Sequence, residues 1–92
     1  MADKTKGIFD IKDVKVQDLT GEMVDIGLTK EQFARILYNN AKSFDMDMFA
    51  REIFKHGKAE ISEEVKKEFR EHGHTVWNHR VIASILELID KL

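Results

Sequence analysis

Val76-Trp77-Asn78-His79-Arg80-Val81-Ile82-Ala83-Ser84-Ile85-Leu86-Glu87-Leu88-Ile89-Asp90-Lys91-Leu92 closes the chain, and its spacing decides the architecture. On a helix at about 100° per residue, Trp77, Val81, Ile82, Ile85, Leu86, Leu88, Ile89 and Leu92 cover roughly half the circumference. A surface helix needs an apolar stripe only a little over 100° wide. The stretch therefore reads as one continuous rod, either the central post of a core or partly covered by another chain. Asn78 falls inside the apolar arc and needs a hydrogen-bond partner there.

Three shorter helices precede it. Thr29 and Gln32 form a capping box that opens a helix to about Ala41, with Phe33, Ile36, Leu37 and Ala41 on its apolar face. A second helix starts at Ser43 or Asp45, carries the stripe Met46, Phe49, Ala50, Ile53 and Phe54, and stops at a left-handed Gly57. With Asp45 as N-cap, Phe44 and Phe49 make a hydrophobic staple. Left exposed, Phe44 and Met48 make a small apolar patch instead. Ser62 opens a third helix with Glu63 and Glu64 in its first turn, closing at Gly73. Only Ile61, Val65 and Phe69 line up on it, so it reads as a surface helix laced by pairs such as Glu63 with Lys67.

Upstream of the helices, Val14 and Val16, then Val24, Ile26 and Leu28, alternate with polar residues or glycine, as in half-buried strands. Asp18-Leu19-Thr20-Gly21 between them is a hairpin turn, with Asp opening a type I turn and Gly free to take positive φ. Phe9 and Ile11 stand in the opposite phase, which requires a bulge or break near Lys12-Asp13. Lys58 to Ile61 is too short for periodicity to assign. The predicted fold is α+β: an N-terminal β-hairpin on a bundle of about four helices, with the long C-terminal helix central. Residues 1–7 read as a flexible arm and 8–92 as one compact domain.

Composition removes several function classes. The chain has 92 residues, enough for a single core, and no cysteine, so it has neither disulfides nor thiolate metal sites. Net charge is −2 with both signs interspersed, unlike the basic excess of a general polyanion binder. No segment approaches the ~20 apolar residues of a membrane span, and the opening residues lack a secretory h-region. The expected location is cytoplasmic.

His72, His74 and His79 invite a metal, but His74 and His79 would lie about 140° apart on one helix and no carboxylate at fixed spacing joins them. Ser84 has no histidine one turn away, and none of the glycines is spaced for a phosphate loop. The expectation is a non-enzyme with no catalytic residue, metal, cofactor or small-molecule ligand. The leading function is a protein-interaction or accessory module, binding a partner or itself through Phe44, Met48, Trp77, Leu88 and Leu92. The alternative is a nucleic-acid-associated regulator with a helix-turn-helix-like segment at 62–82, using Lys66, Lys67, Arg70, Thr75, Asn78, His79 and Arg80. Against it, Glu63, Glu64, Glu68 and Glu71 would face phosphates, and His74 and His79 occupy positions that are apolar in such motifs.

Overall fold

A computed structural model describes residues 7–92 and shows an α+β fold. Among these residues the order is β1 (Ile8–Asp10), a 3-10 turn (Ile11–Asp13), β2 (Lys15–Gln17), β3 (Met23–Asp25), α1 (Lys30–Asn39), α2 (Phe44–His56), β4 (Lys58–Glu60), α3 (Glu63–Val76) and α4 (His79–Asp90). Of the predicted arm, residues 1–6 lie outside the described residues, and Gly7 is already packed. Its carbonyl accepts from the Ile61 N–H at 3.0 Å, and a Cβ there would sit 2.4 Å from that of Leu92. No helix among the described residues is long and apolar enough to cross a membrane.

The predicted N-terminal hairpin is β2–β3, and a second small antiparallel sheet joins β1 to β4. β2 and β3 pair across the Asp18–Gly21 turn, where the Gly21 N–H donates to the Asp18 carbonyl and Gly21 takes φ +89°. The phase break at Lys12-Asp13 is the 3-10 turn, which separates β1 from this hairpin. β1 pairs with β4 instead, Phe9 opposite Ala59. Gly57, at φ +75°, turns the chain out of α2 and its carbonyl accepts from the Ile11 N–H. That places residues 58–60 alongside β1.

Local chemistry fixes the helices. The Thr29–Gln32 capping box opens α1, and Ser43 opens α2 by accepting from the Met46 N–H. Lys30, at the start of α1, donates to the Phe54 and Lys55 carbonyls at the end of α2, so the two helices run antiparallel. A cation on the last carbonyls of a helix also offsets its negative end. At the opposite end, Glu68 of α3 accepts from the Lys42 N–H and the Ser43 hydroxyl. The connection between α1 and α2 is thus tied down by a buried carboxylate.

The predicted rod is interrupted. α3 does not stop at Gly73 but runs to Val76, and Trp77 and Asn78 are extended. Asn78 is the N-cap of α4: its side-chain oxygen accepts from the Arg80 and Val81 N–H groups, which meets its need for a partner without burial. Gly73 serves packing instead of termination. A Cβ there would lie 2.2 Å from Ile82 Cδ1, so only glycine lets α3 and α4 approach so closely. On α4, Ile82, Ile85 and Ile89 are fully buried, whereas Val81, Leu86 and Leu88, and Leu92 just beyond the helix, are only half-buried.

The aromatic centre of the core is Phe9, fully buried on β1. Its ring lies 6.0 Å from Phe33 of α1, 5.5 Å edge-on from Phe49 of α2 and 6.2 Å from Phe69 of α3. Phe33 in turn stacks on Trp77 at 4.8 Å.

Phe9→Ala should cost about 3–5 kcal/mol, read from the urea midpoint, because three aromatic neighbours lose one face together. Gly73→Ala should cost about 1–3 kcal/mol by overpacking. In the same titration, the Gly73→Ala/Ile82→Val double variant should lose less than the sum of its singles. Asp18 generates a pH prediction. Hydrogen bonds from the Thr20 hydroxyl and the Thr20 and Glu22 N–H groups hold its carboxyl below the ordinary aspartate value. A depressed carboxyl contributes stability that is complete above the unfolded aspartate range and is lost as pH falls through the folded value. A carboxyl NMR titration should show this midpoint, and Thr20→Val should move it back upward.

Candidate functional site

Two antiparallel helices with one face in the core leave the other face outward, and here that face is unusually apolar. α2 buries Met46, Phe49, Ala50 and Ile53, while Phe44, Met48 and Phe54 stay exposed. α1 buries Phe33, Ala34 and Leu37 and leaves Arg35 and Tyr38 exposed. Between the helices runs a groove of about 470 Å³, lined by Ala34, Arg35, Tyr38, Asn39, Ala50, Arg51, Phe54 and Lys55. Tyr38 is also a wall of a second hollow of similar volume, which continues to Lys42, Phe44 and Asp47.

Phe44 is 74% exposed, and the predicted staple does not form. The reason is the cap: Ser43, held by Glu68, takes the N-cap position from Asp45. Phe44 thereby becomes the first helical residue and swings clear of Phe49. Phe54, expected in the buried stripe, sits at its edge and is 44% exposed, as is Met48.

The groove is basic within an acidic chain. Arg35, Arg51 and Lys55 line it, and no carboxylate does. Arg51 is held in place twice, with Nε 3.3 Å from Asp47 Oδ1 and its guanidinium 5.5 Å from the centre of the Tyr38 ring. Among the described residues, Arg35 and Lys55 have no ion-pair partner.

Of the residues expected to meet a partner, only Phe44 and Met48 lie on open surface. Trp77 is 7% exposed and stacked on Phe33, so it presents no face to another chain. Leu88 and Leu92 are half-buried on the core, Leu92 against Gly7. Tyr38 and the groove-facing role of Phe54 were missed. Their signal emerges only once the pairing of α1 with α2 is known.

The nucleic-acid segment is poorly equipped. Lys66 is buried, its ammonium 3.2 Å from Glu63, so the expected Glu63–Lys67 pair forms with Lys66 instead. Arg70 is paired with Asp90 of α4 at 2.9 Å. Thr75 donates its hydroxyl to the His72 carbonyl, and Asn78 is committed to its cap. Lys67, His79 and Arg80 remain exposed, beside the exposed acids Glu63, Glu64 and Glu71. Glu68 is not among those acids, because it is buried and bonded to Lys42 and Ser43.

His74 lies in the last turn of α3 and His79 begins α4, with His72 beside Glu71, and no group of three potential ligands converges among the described residues. Ser84 lines a shallow groove between α4 and the hairpin with Lys15, Asp18, Arg80 and Glu87. Hairpin residues Leu19 and Met23 border that groove and are exposed, but its charges are mixed. Compared with models of protein families, with curated proteins and with solved structures, the chain matches none.

Proposed function

We propose that this chain is a non-catalytic protein-interaction module whose binding surface is the outer face of α1 and α2. The observation that carries the reading is the set of exposed aromatic side chains Phe44, Tyr38 and Phe54 along a groove between two tied helices, with Met48 exposed one turn from Phe44. Contiguous apolar surface on a small domain marks an interaction site more often than chance, and aromatic and arginine side chains are the groups that dominate interface energies. Preorganisation supports it further. Lys30 and Glu68 hold the two ends of the helix pair, so little ordering is required on binding. A cysteine-free module of this kind fits the cytoplasm.

A second copy of the chain is one candidate partner, and another protein is the other. Site-specific photo-crosslinking in cells of its source tests the reading. A benzophenone side chain replacing Phe44 or Phe54 should give discrete protein adducts, and one replacing the exposed Lys67 of α3 should not. Adducts of equal yield from all three positions, or from none, would overturn the proposal.

A further inference from the structure

We infer that the segment received by the α1–α2 groove is an acidic amphipathic helix of a partner protein. The inference rests on the reading above and adds the chemistry of the occupant. From Phe44 to Lys55 the outer edge of α2 spans about 16 Å at the usual helical rise, the length of about three turns of a docked helix. The apolar groove on one side of Tyr38 would take one apolar anchor, and exposed Phe44 at the edge of the more polar hollow on its other side would take a second, as amphipathic helices read grooves.

Charge selects among occupants. Arg35, Arg51 and Lys55 line the groove without a carboxylate, in a chain of net charge −2. Two copies docked groove to groove about a two-fold axis would set these cations against their own counterparts, so self-association through this face is disfavoured. Single-stranded nucleic acid stacks successive bases on aromatic faces, whereas one face of Tyr38 is covered by the Arg51 guanidinium and the exposed Phe44 and Phe54 stand about 15 Å apart along α2 at the usual helical rise. An acidic helix meets both demands. Its carboxylates pair with Arg35 and Lys55 at the rim, and its apolar residues cover Phe54, Tyr38 and Phe44.

The test is selection from a displayed library of helix-forming peptides of about 14 residues. The apolar positions are fixed at helical spacing and the remaining positions are randomised over acidic, basic and neutral residues. On the intact chain, enriched peptides should be acidic. They should lose binding about tenfold or more to the Arg35→Glu/Lys55→Glu variant, and fail on Phe54→Ser. An Arg35→Gln/Lys55→Gln variant should show a smaller loss in the same direction, with far-UV circular dichroism checking that every variant folds. Neutral or basic winners, acidic winners indifferent to the charge reversal, or no enrichment would overturn the inference. So would a labelled oligouridylate displacing the winners at moderate salt, or light scattering that shows a dimer abolished by Phe54→Ser. None of these results decides the photo-crosslinking outcome, so the two readings fail separately.

Discussion

One phenylalanine on a three-residue strand is the contact through which three helices meet. A two-stranded sheet of this length is marginal by itself, and hydrogen bonds of the β1–β4 ladder add little net stability. What holds β1 in place is the burial of Phe9, whose ring touches one aromatic from each of α1, α2 and α3. The dependence is mutual. Without that ring the inner faces of the helices would enclose a hole, and without the helices nothing would keep Phe9 from water. Trp77 extends the same aromatic layer through Phe33, so the junction between α3 and α4 is anchored to the core by its own side chain.

This arrangement frees the outer side of α1 and α2 from any structural duty. The inner side is filled by Phe33, Leu37, Met46, Phe49 and Ile53 against Phe9, and the relative placement of the two helices is set by polar ties at their ends. Lys30 binds the closing carbonyls of α2, while Glu68 reaches across from α3 to the loop that opens it. Glu68 is the more telling of the two, because a buried carboxylate is costly unless its oxygens are satisfied. Here both oxygens accept hydrogen bonds, one from a backbone N–H and one from the capping hydroxyl.

Much of the fold was legible where local chemistry decides it. The Thr29 box, the Gly57 stop, the Ser62 cap and the turn at Asp18–Gly21 each depend on residues within a few positions of one another. The errors share a different cause. Helical spacing puts Asn78 inside an apolar arc because spacing alone cannot distinguish an arc residue from a cap. Gly73 looked like a terminator, since glycine favours helix ends, but its use was close approach to Ile82, a contact between elements. The pairing of β1 with β4 spans the whole helix pair, and a three-residue strand has no period to reveal it. The site fared similarly. The sequence marks Phe44 and Met48, whereas the competition between Ser43 and Asp45 for the cap, which fixes Phe44 outside, is settled by Glu68 of another helix.

The exposed aromatic face also has to avoid nonspecific adhesion, and its cations bear on that problem. An apolar groove whose only charged lining residues are cations repels a copy of itself while remaining open to a partner of opposite charge. Arg51 contributes in two ways. Pinned by Asp47 and laid across Tyr38, it shields one face of that exposed ring. Among the described residues, Arg35 and Lys55 have no ion-pair partner, so they are the groups available for pairing at the rim. In the proposed module, specificity rests on the contrast between Arg51, already paired with Asp47, and two cations that have no ion-pair partner among the described residues. Apolar area alone would attract any greasy surface, whereas two unpaired cations beside it favour a segment carrying carboxylates at matching positions.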